Sequence, residues 1–431
     1  MKTRREFLRS TVLGASSAWT VPMFVERTFA EIHAGARDLA IQPATGRDDT
    51  ILVVLQLAGG NDGLNTLVPY EDDAYYRARP NLGKAAKDLI RIEEGVGFNP
   101  SMPFLGELYQ RGDLAVVQGV GYPNPNRSHF VSTSIWETAD IQNRSNTGWL
   151  GRYFDNACHG ADPTVGISLN KTQPESFGAL KNPGVCMSSP QLYQWIHGGG
   201  DGDGAQEFFE SLNTPEGPLD GASIAEASVG KGGGVVGETN LDFLQRVAMD
   251  ARVSSKQILE VAAKHRSRVT YGGTPISRSL NMVARMIAGK MPTRVYYVSH
   301  GGFDTHNGQA NSHDRLLAQL DEALKSFFAD LKNQGNADRV TLMTFSEFGR
   351  RVAENASGGT DHGKASCLFV AGAPVAGGMY GSHPSLSDLD DGDLKHCIDF
   401  RQVYATVLED WLKTGSQPIL KSKYRSLGFI A

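Results

Sequence analysis

Cysteine is scarce. The 431 residues hold only Cys158, Cys186, Cys367 and Cys397, and no two of them form a CxxC pair. Neither a thiolate zinc site nor a dithiol redox motif is therefore indicated. In an oxidising compartment one or two disulfides are open to them, with no pairing assigned by sequence. Basic tracts are missing beyond the first few residues, and the formal net charge is −5. The clustered cations that displace counterions from a nucleic-acid backbone are therefore lacking, which argues against nucleic acid as a partner. No internal repeat is present. At 21% charged and 40% hydrophobic residues the chain is far from the composition of a disordered protein. Glycine, by contrast, is abundant at 49 residues, about one and a half times the usual ~7%. Turns and loops must make up much of the chain.

Near the N-terminus, Thr3-Arg4-Arg5-Glu6-Phe7-Leu8-Arg9-Ser10 sets paired arginines before a weakly apolar stretch from Thr11 to Val25 and a small-residue end at Ala30. The pattern predicts a twin-arginine export signal, residues 1–30, cut after Ala30. It is interrupted by Gly14 and Pro22 and is too short to span a bilayer, which takes ~20 apolar residues. Its removal takes five cationic and two anionic residues and leaves 401 with a net charge of −8. The expected location is the periplasm or beyond, with the twin-arginine export machinery as a partner and no transmembrane helix in the mature protein. Such export moves folded chains, which favours a metal or cofactor loaded before release.

The run Ile51 to Leu57 is continuously apolar and is followed by Gly59-Gly60, as in a strand buried on both faces of a parallel sheet. Similar runs recur at Leu114 to Gln118, Arg294 to Ser299, Val340 to Phe345 and Cys367 to Val370. Between them the spacing predicts helices over Ile276 to Ala288 and Asp314 to Lys332, the latter stopped by Gly335, and a further one over Phe400 to Leu412. Strands alternating with helices predict one α/β domain over residues 31–431, a doubly wound, mostly parallel sheet with helices on both faces. A Gly-rich insertion at about 181–238 breaks the rhythm. Neither of its Gly runs has the strand before, helix after and Lys-Ser/Thr ending of a phosphate-cradling loop.

In sheets of this type ligands sit beyond the carboxyl ends of the strands. The residues there are unusually polar. After the first strand come Asn61 and Asp62; after the Val295 to Val298 run come His300, Asp304 and His306; after Val340 to Phe345 come Ser346, Glu347 and Arg350; and before the Cys367 run come Asp361 and His362. Each has a plain alternative, such as a turn tied by Asp62 or an ion pair between Glu347 and a neighbouring arginine. Together they offer carboxylates and imidazoles at four strand ends, the donors that hold divalent metal ions. Asp62, Asp304, His306, Glu347, Asp361 and His362 are the candidate ligands. Arg127-Ser128-His129 adds a guanidinium, a hydroxyl and an imidazole at the start of a helix near Phe130. Ser128 is either an N-cap or a nucleophile at the positive helix end, and Arg127 a clamp for phosphate or sulfate.

The paired arginines, LQLAGGNDGLNTLVP, RSHF with its following Trp, GGFDTH, TFSEFGRR and GTDHG together resemble the bacterial domain-of-unknown-function 1501 family. That resemblance implies a relation to the alkaline phosphatase and sulfatase superfamily, with a two-metal centre at the strand ends. It implies that Asp62 is the first-strand metal aspartate, Asp304 and His306 a ligand pair, Glu347 the acid after a later strand, His362 the final ligand histidine, and residues 125–129 the segment bearing the nucleophile. Three features depart from the superfamily pattern. Asp304 and His306 are only two apart, Phe348 stands where a His would follow the acid, and no Cys or Thr occupies the nucleophile position.

The implied chemistry is metal-dependent hydrolysis of phosphate or sulfate esters, on small-molecule or polymer-linked anionic substrates. Two divalent cations ~4 Å apart would stabilise the attacking and leaving oxygens. Zinc, manganese, calcium and magnesium all remain open. Ser128 or water would attack, and His129 or His300 would act as acid or base. The alternative is a non-catalytic envelope protein with a degenerate metal centre, acting through a protein partner.

Overall fold

Successive residues of the first strand, β1 (Ile51–Ala58), face two different cores. Ile51, Val53, Leu55 and Leu57 pack into one apolar cluster; Leu52 and Val54 pack into the other. Side chains alternate across a strand, so a strand with a core on each face reads as unbroken apolar sequence. The chain is seen in a computed structural model that describes residues 50–158, 163–180, 183–188 and 257–431. The expected export signal and nearly all of the Gly-rich stretch 181–238 lie outside the described residues.

The remaining strands are β2 (Leu67–Pro69), β3 (Ile90–Glu93), β4 (Val96–Phe98), β5 (Leu114–Gly121), β6 (Gly166–Ser168), β7 (Val185–Cys186), β8 (Val295–Gly301), β9 (Val340–Phe345), β10 (Ser366–Ala371), β11 (Gly378–Tyr380) and β12 (Ile398–Asp399). Among the described residues, nine of the twelve strands form one mixed sheet in the order β11-β5-β10-β9-β1-β8-β6-β7, with β12 also on β5. The short strands β2, β4 and β3 make a separate antiparallel sheet. In the large sheet only β10 runs against its neighbours, β5 and β9; every other pairing is parallel. The expected mostly parallel sheet is therefore present. The reversal of β10 has a consequence for the site: the residues that lead into it, not those that follow it, lie at the carboxyl edge of β1, β8 and β9.

Helices cover both faces, as expected of a doubly wound sheet. They are α1 (Gly63–Thr66), α2 (Asp73–Ala78), α3 (Pro103–Arg111), α4 (His129–Thr138), α5 (Trp149–Ala157), α6 (Pro275–Ala288), α7 (Gln309–Gln334), α8 (Phe400–Thr406) and α9 (Ser416–Leu420). One face holds α3, α6 and α7; the other holds α4, α5, α8 and α9. On α7 the residues Leu316, Leu317, Leu320, Ala323, Leu324, Phe327 and Leu331 are buried, the stripe that its spacing predicts. Gly335, at φ 71°, closes it by returning its N–H to Leu331 and Lys332 carbonyls. Beyond α8 the predicted helix continues as a π turn over Val407–Trp411. All four cysteines are free thiols, so the disulfides open to them by sequence are not formed.

The helix that reaches the site is fixed by aromatic packing. Trp136 of α4 stacks on Phe345 at the end of β9 (centroids 5.7 Å) and on Phe400 (4.4 Å). Such pairs contribute about 0.5–1.5 kcal/mol each beyond their burial. One residue on, Glu137 is 5% exposed and accepts from the Tyr297 hydroxyl (2.7 Å) and the Glu175 N–H (2.6 Å). Burial pushes its carboxyl up to about 7 against those two hydrogen bonds. A carboxyl raised on folding contributes stability below its unfolded pKa that is lost as pH rises through the folded one. Wild-type protein is thus expected to lose stability between about pH 5 and 8, and Glu137→Gln to lose less over that window. Urea midpoints measured across it will show whether the two curves diverge.

Candidate metal centre

Three imidazoles and one carboxylate meet where β1, β5, β8 and β9 end and β10 begins. Asp304 and His306 lie in the loop after β8, His362 in the segment leading into β10, and His129 is the first residue of α4 in the connection after β5. The Asp304 Oδ1 atom is 3.1 Å from His306 Nε2, 3.2 Å from His362 Nε2 and 3.5 Å from His129 Nε2. His306 Nε2 and His362 Nε2 are 2.9 Å apart. One ligand atom each from His129, Asp304 and His362 fall within 4.8 Å of one another.

The opposite nitrogens fix which tautomer each ring adopts. His129 Nδ1 is 2.7 Å from Glu347 Oε1, His306 Nδ1 is 3.1 Å from Asp361 Oδ1, and His362 Nδ1 is 2.8 Å from the Arg127 carbonyl. A carboxylate or a carbonyl only accepts, so each Nδ1 must donate. In the neutral ring Nε2 is then a bare lone pair. Three such lone pairs face one carboxylate oxygen, and His129 Nε2 is buried with no hydrogen-bond partner. Histidine backed at Nδ1 by a carboxylate or carbonyl is the usual arrangement of a metal-ligating imidazole.

The electrostatics agree with a cation-seeking site. Burial would raise the Asp304 carboxyl, but the hydrogen bond and the charge of the Arg350 guanidinium outweigh it and bring the pKa down to about 2. The hydrogen bond to Glu347 holds His129 above the ordinary imidazole value, against burial. Burial lowers His362, opposed by its bond to the Arg127 carbonyl. Arg350 is a second, permanent positive charge. Its guanidinium donates to Asp304 Oδ1 at 2.8 Å and to the carbonyls of Gly59, Gly60, Phe303 and Thr360. Phe348 forms an apolar wall, with its ring 4.8 Å from His129 and 4.6 Å from His362.

Glycine lets β1 come this close. Gly59 sits at φ 118°, and a Cβ there would lie 2.4 Å from the Asp304 nitrogen. The Gly59 N–H donates to Glu347 Oε1 at 2.9 Å, joining the ends of β1 and β9.

The other residues expected at the site have different places. Asp62, 0% exposed, does not reach the cluster: Oδ2 accepts from Arg79 (2.6 Å) and Gln309, and Oδ1 accepts from Asn65 N–H as the N-cap of α1. Glu347 and Asp361 stand behind His129 and His306 and face their Nδ1 atoms. Arg127 is not free to clamp an anion, because its side chain is held by Asp391 and Asp393. His300 is buried with Nε2 3.0 Å from the Leu316 carbonyl. Ser128 occupies the N-cap position of α4, yet its side chain makes no capping bond and is exposed. Sequence reasoning missed Arg79, Gln309 and the full part played by Arg350. Nothing in spacing distinguishes a buried arginine from a surface one, although Arg350 lies inside a motif that was singled out.

The described residues include no helix long and apolar enough to cross a membrane. No curated protein matches the chain. Solved structures that are similar include PsFucS1 sulfatase from Pseudoalteromonas sp. (9% identity, 89% of this chain and 72% of that one, TM-score 0.39). The C-terminal periplasmic domain of EcEptC from Escherichia coli, in complex with Zn, aligns at 11% identity over 76% of this chain and 74% of that one, with a TM-score of 0.34. Alkaline phosphatase from the Antarctic bacterium TAB5 aligns at 8% over 77% and 94%, with a TM-score of 0.31. Residues 242–418 match the family described as "Protein of unknown function (DUF1501)", the same family that the sequence motifs resemble.

Proposed function

We propose that the chain is an exported hydrolase of phosphate or sulfate esters that holds one divalent cation at the strand ends, with His129, Asp304, His306 and His362 as its ligands. The observation behind this reading is the convergence of three Nε2 lone pairs on the Asp304 carboxylate, each ring held at Nδ1 by its own acceptor. Two bare lone pairs 2.9 Å apart repel unless a positive charge lies between them. Three imidazoles and one carboxylate suit zinc or manganese better than calcium or magnesium, which take oxygen ligands. The donor set also favours one cation over two, since Asp62 is spent on Arg79 and Arg350 supplies the neighbouring positive charge.

A bound cation would supply Lewis-acid stabilisation of charge developing on the ester oxygens. The chain's own part is positioning. Ser128 lies in the chain between Arg127 and His129, both tied to the centre, at the positive end of α4. Ser128 is the group we assign to attack: its Oγ would bond to phosphorus or sulfur as the ester P–O or S–O bond breaks, its hydroxyl proton would leave with the alcohol, and water would then cleave the phospho- or sulfoserine to inorganic phosphate or sulfate and free serine. Glu347 and Asp361 hold ligand rings.

Metal analysis of protein recovered by its own export route, combined with aryl phosphate and aryl sulfate assays on wild type and Ser128→Ala, tests this. About one equivalent of zinc or manganese is expected, with turnover of one ester class lost in the variant. No bound metal and no turnover would end the proposal. The single-cation donor set favours one second reading, a binding protein on the same fold, and bound metal with neither ester turned over would select it.

A further inference from the structure

We infer that Gln309 is the positioning residue of the metal centre: one buried amide sets the spacing of its two ligand loops while touching no ligand side chain. The inference rests on the cation site proposed above. Gln309 is the first residue of α7 and is 0% exposed. Its Oε1 accepts from Thr305 Oγ1 at 3.1 Å and from Thr360 Oγ1 at 2.6 Å. Its Nε2 donates to Asp62 Oδ2.

The amide's orientation is dictated by its neighbours. The Asp62 carboxylate only accepts, so the –NH₂ must face it, and the carbonyl must then face the two hydroxyls. Reversing the amide would set its oxygen against the Asp62 carboxylate. Asp62 is itself locked by Arg79. A single chain of bonds therefore runs from Arg79 through Asp62 and Gln309 to the two threonines.

The positions of those threonines give the clasp its function. Thr305 lies between Asp304 and His306; Thr360 directly precedes Asp361 and His362. The two loops also meet through backbone, with Thr360 N–H on the Thr305 carbonyl at 3.2 Å and Gln309 N–H on the Gly358 carbonyl at 2.9 Å, and through His306 Nδ1 on Asp361 at 3.1 Å; the Gln309 amide is the buried side chain that bonds to both at once. Both threonines are at most 5% exposed, so no water substitutes for a lost partner. Loss of the clasp leaves each ligand intact and lets His306 and His362 drift relative to each other. Asp62 thus serves the centre from a distance, through Gln309.

The test compares Thr305→Val/Thr360→Val with Thr305→Ser/Thr360→Ser. Valine keeps the shape and removes the hydroxyl; serine keeps the hydroxyl. Zinc titration is expected to show a loss of about 10–100-fold in the valine protein, the range for groups that orient ligands, and near wild-type affinity in the serine protein. The imidazole signals of His306 and His362 in metal-free protein should shift or split in the valine variant alone. Thr360→Val by itself gives the same readouts if the double variant folds poorly. Equal zinc affinity and equal imidazole signals in the valine and wild-type proteins, with only the melting temperature lowered, would overturn the inference. If wild type itself binds no zinc, the cation reading fails, and the imidazole signals still decide whether the clasp orders the two loops.

Discussion

Asp304→Asn is expected to lower zinc affinity by more than 100-fold while leaving the metal-free fold near wild type. The carboxylate is the one anion that all three Nε2 atoms face, at 3.1, 3.2 and 3.5 Å. A neutral amide of the same shape removes that charge and can turn its –NH₂ toward the rings. The effect should exceed the ~10–100-fold typical of an outer partner, because the atom lost is itself a ligand. Folding should be little affected, since Asp304 is half exposed and Arg350 keeps four carbonyl acceptors without it. A ligand at 100 times its dissociation constant stabilises the native state by about 2.7 kcal/mol. Wild type should therefore melt higher in zinc, and the variant should not. A zinc-induced rise of equal size in both proteins would show that the ion binds elsewhere.

The architecture was legible wherever burial on two faces left a continuous apolar run. Ile51 to Leu57 and Val340 to Phe345 show themselves because both sides of each strand meet a core. The same logic placed chemistry at the carboxyl edge. It also explains why Asp361 and His362 belong there, although spacing cannot say that β10 is reversed and delivers the residues before it. Which carboxylate does what was not legible. Asp62 and Asp304 look alike in sequence, each a polar residue just beyond a parallel strand. They differ in what lies opposite, and the partner that claims Asp62 is Arg79, supplied by the end of α2. Glu347 reads equally well as a ligand or as the group behind one; only the 2.7 Å approach of His129 Nδ1 separates the two. His129 itself was expected as an acid or base. Its Nε2 lone pair faces Asp304 on a helix seated by Trp136, two turns further along the same side of α4.

Arg79→Met is expected to cost about 3–5 kcal/mol, the range for leaving a buried charge without its partner. The guanidinium donates to Asp62 Oδ2 at 2.6 Å, to Asn65 Oδ1 at 2.7 Å, to the Val352 carbonyl at 2.9 Å and to the Arg351 carbonyl at 3.0 Å. Methionine fills much of the space and satisfies none of these. The sign of the Asp62 contribution to the pH dependence should reverse as well. In wild type, burial would raise the Asp62 carboxyl, but Arg79 overrides it and holds the pKa below the ordinary carboxylate value. A depressed carboxyl contributes stability above its unfolded pKa that is lost as pH falls through the folded one. Without Arg79, burial prevails, the folded pKa moves above the unfolded one, and stability is instead lost as pH rises through it. Urea denaturation at pH 4.5 and pH 8 should thus find the variant's deficit larger at the higher pH. Adding Asp62→Asn should recover part of the loss, because the amide removes the stranded charge and its oxygen still accepts from Gln309. Because that bond to Gln309 is kept, zinc affinity should recover along with stability in the double variant; stability without zinc affinity would show that anchoring Gln309 takes the charged carboxylate held by Arg79.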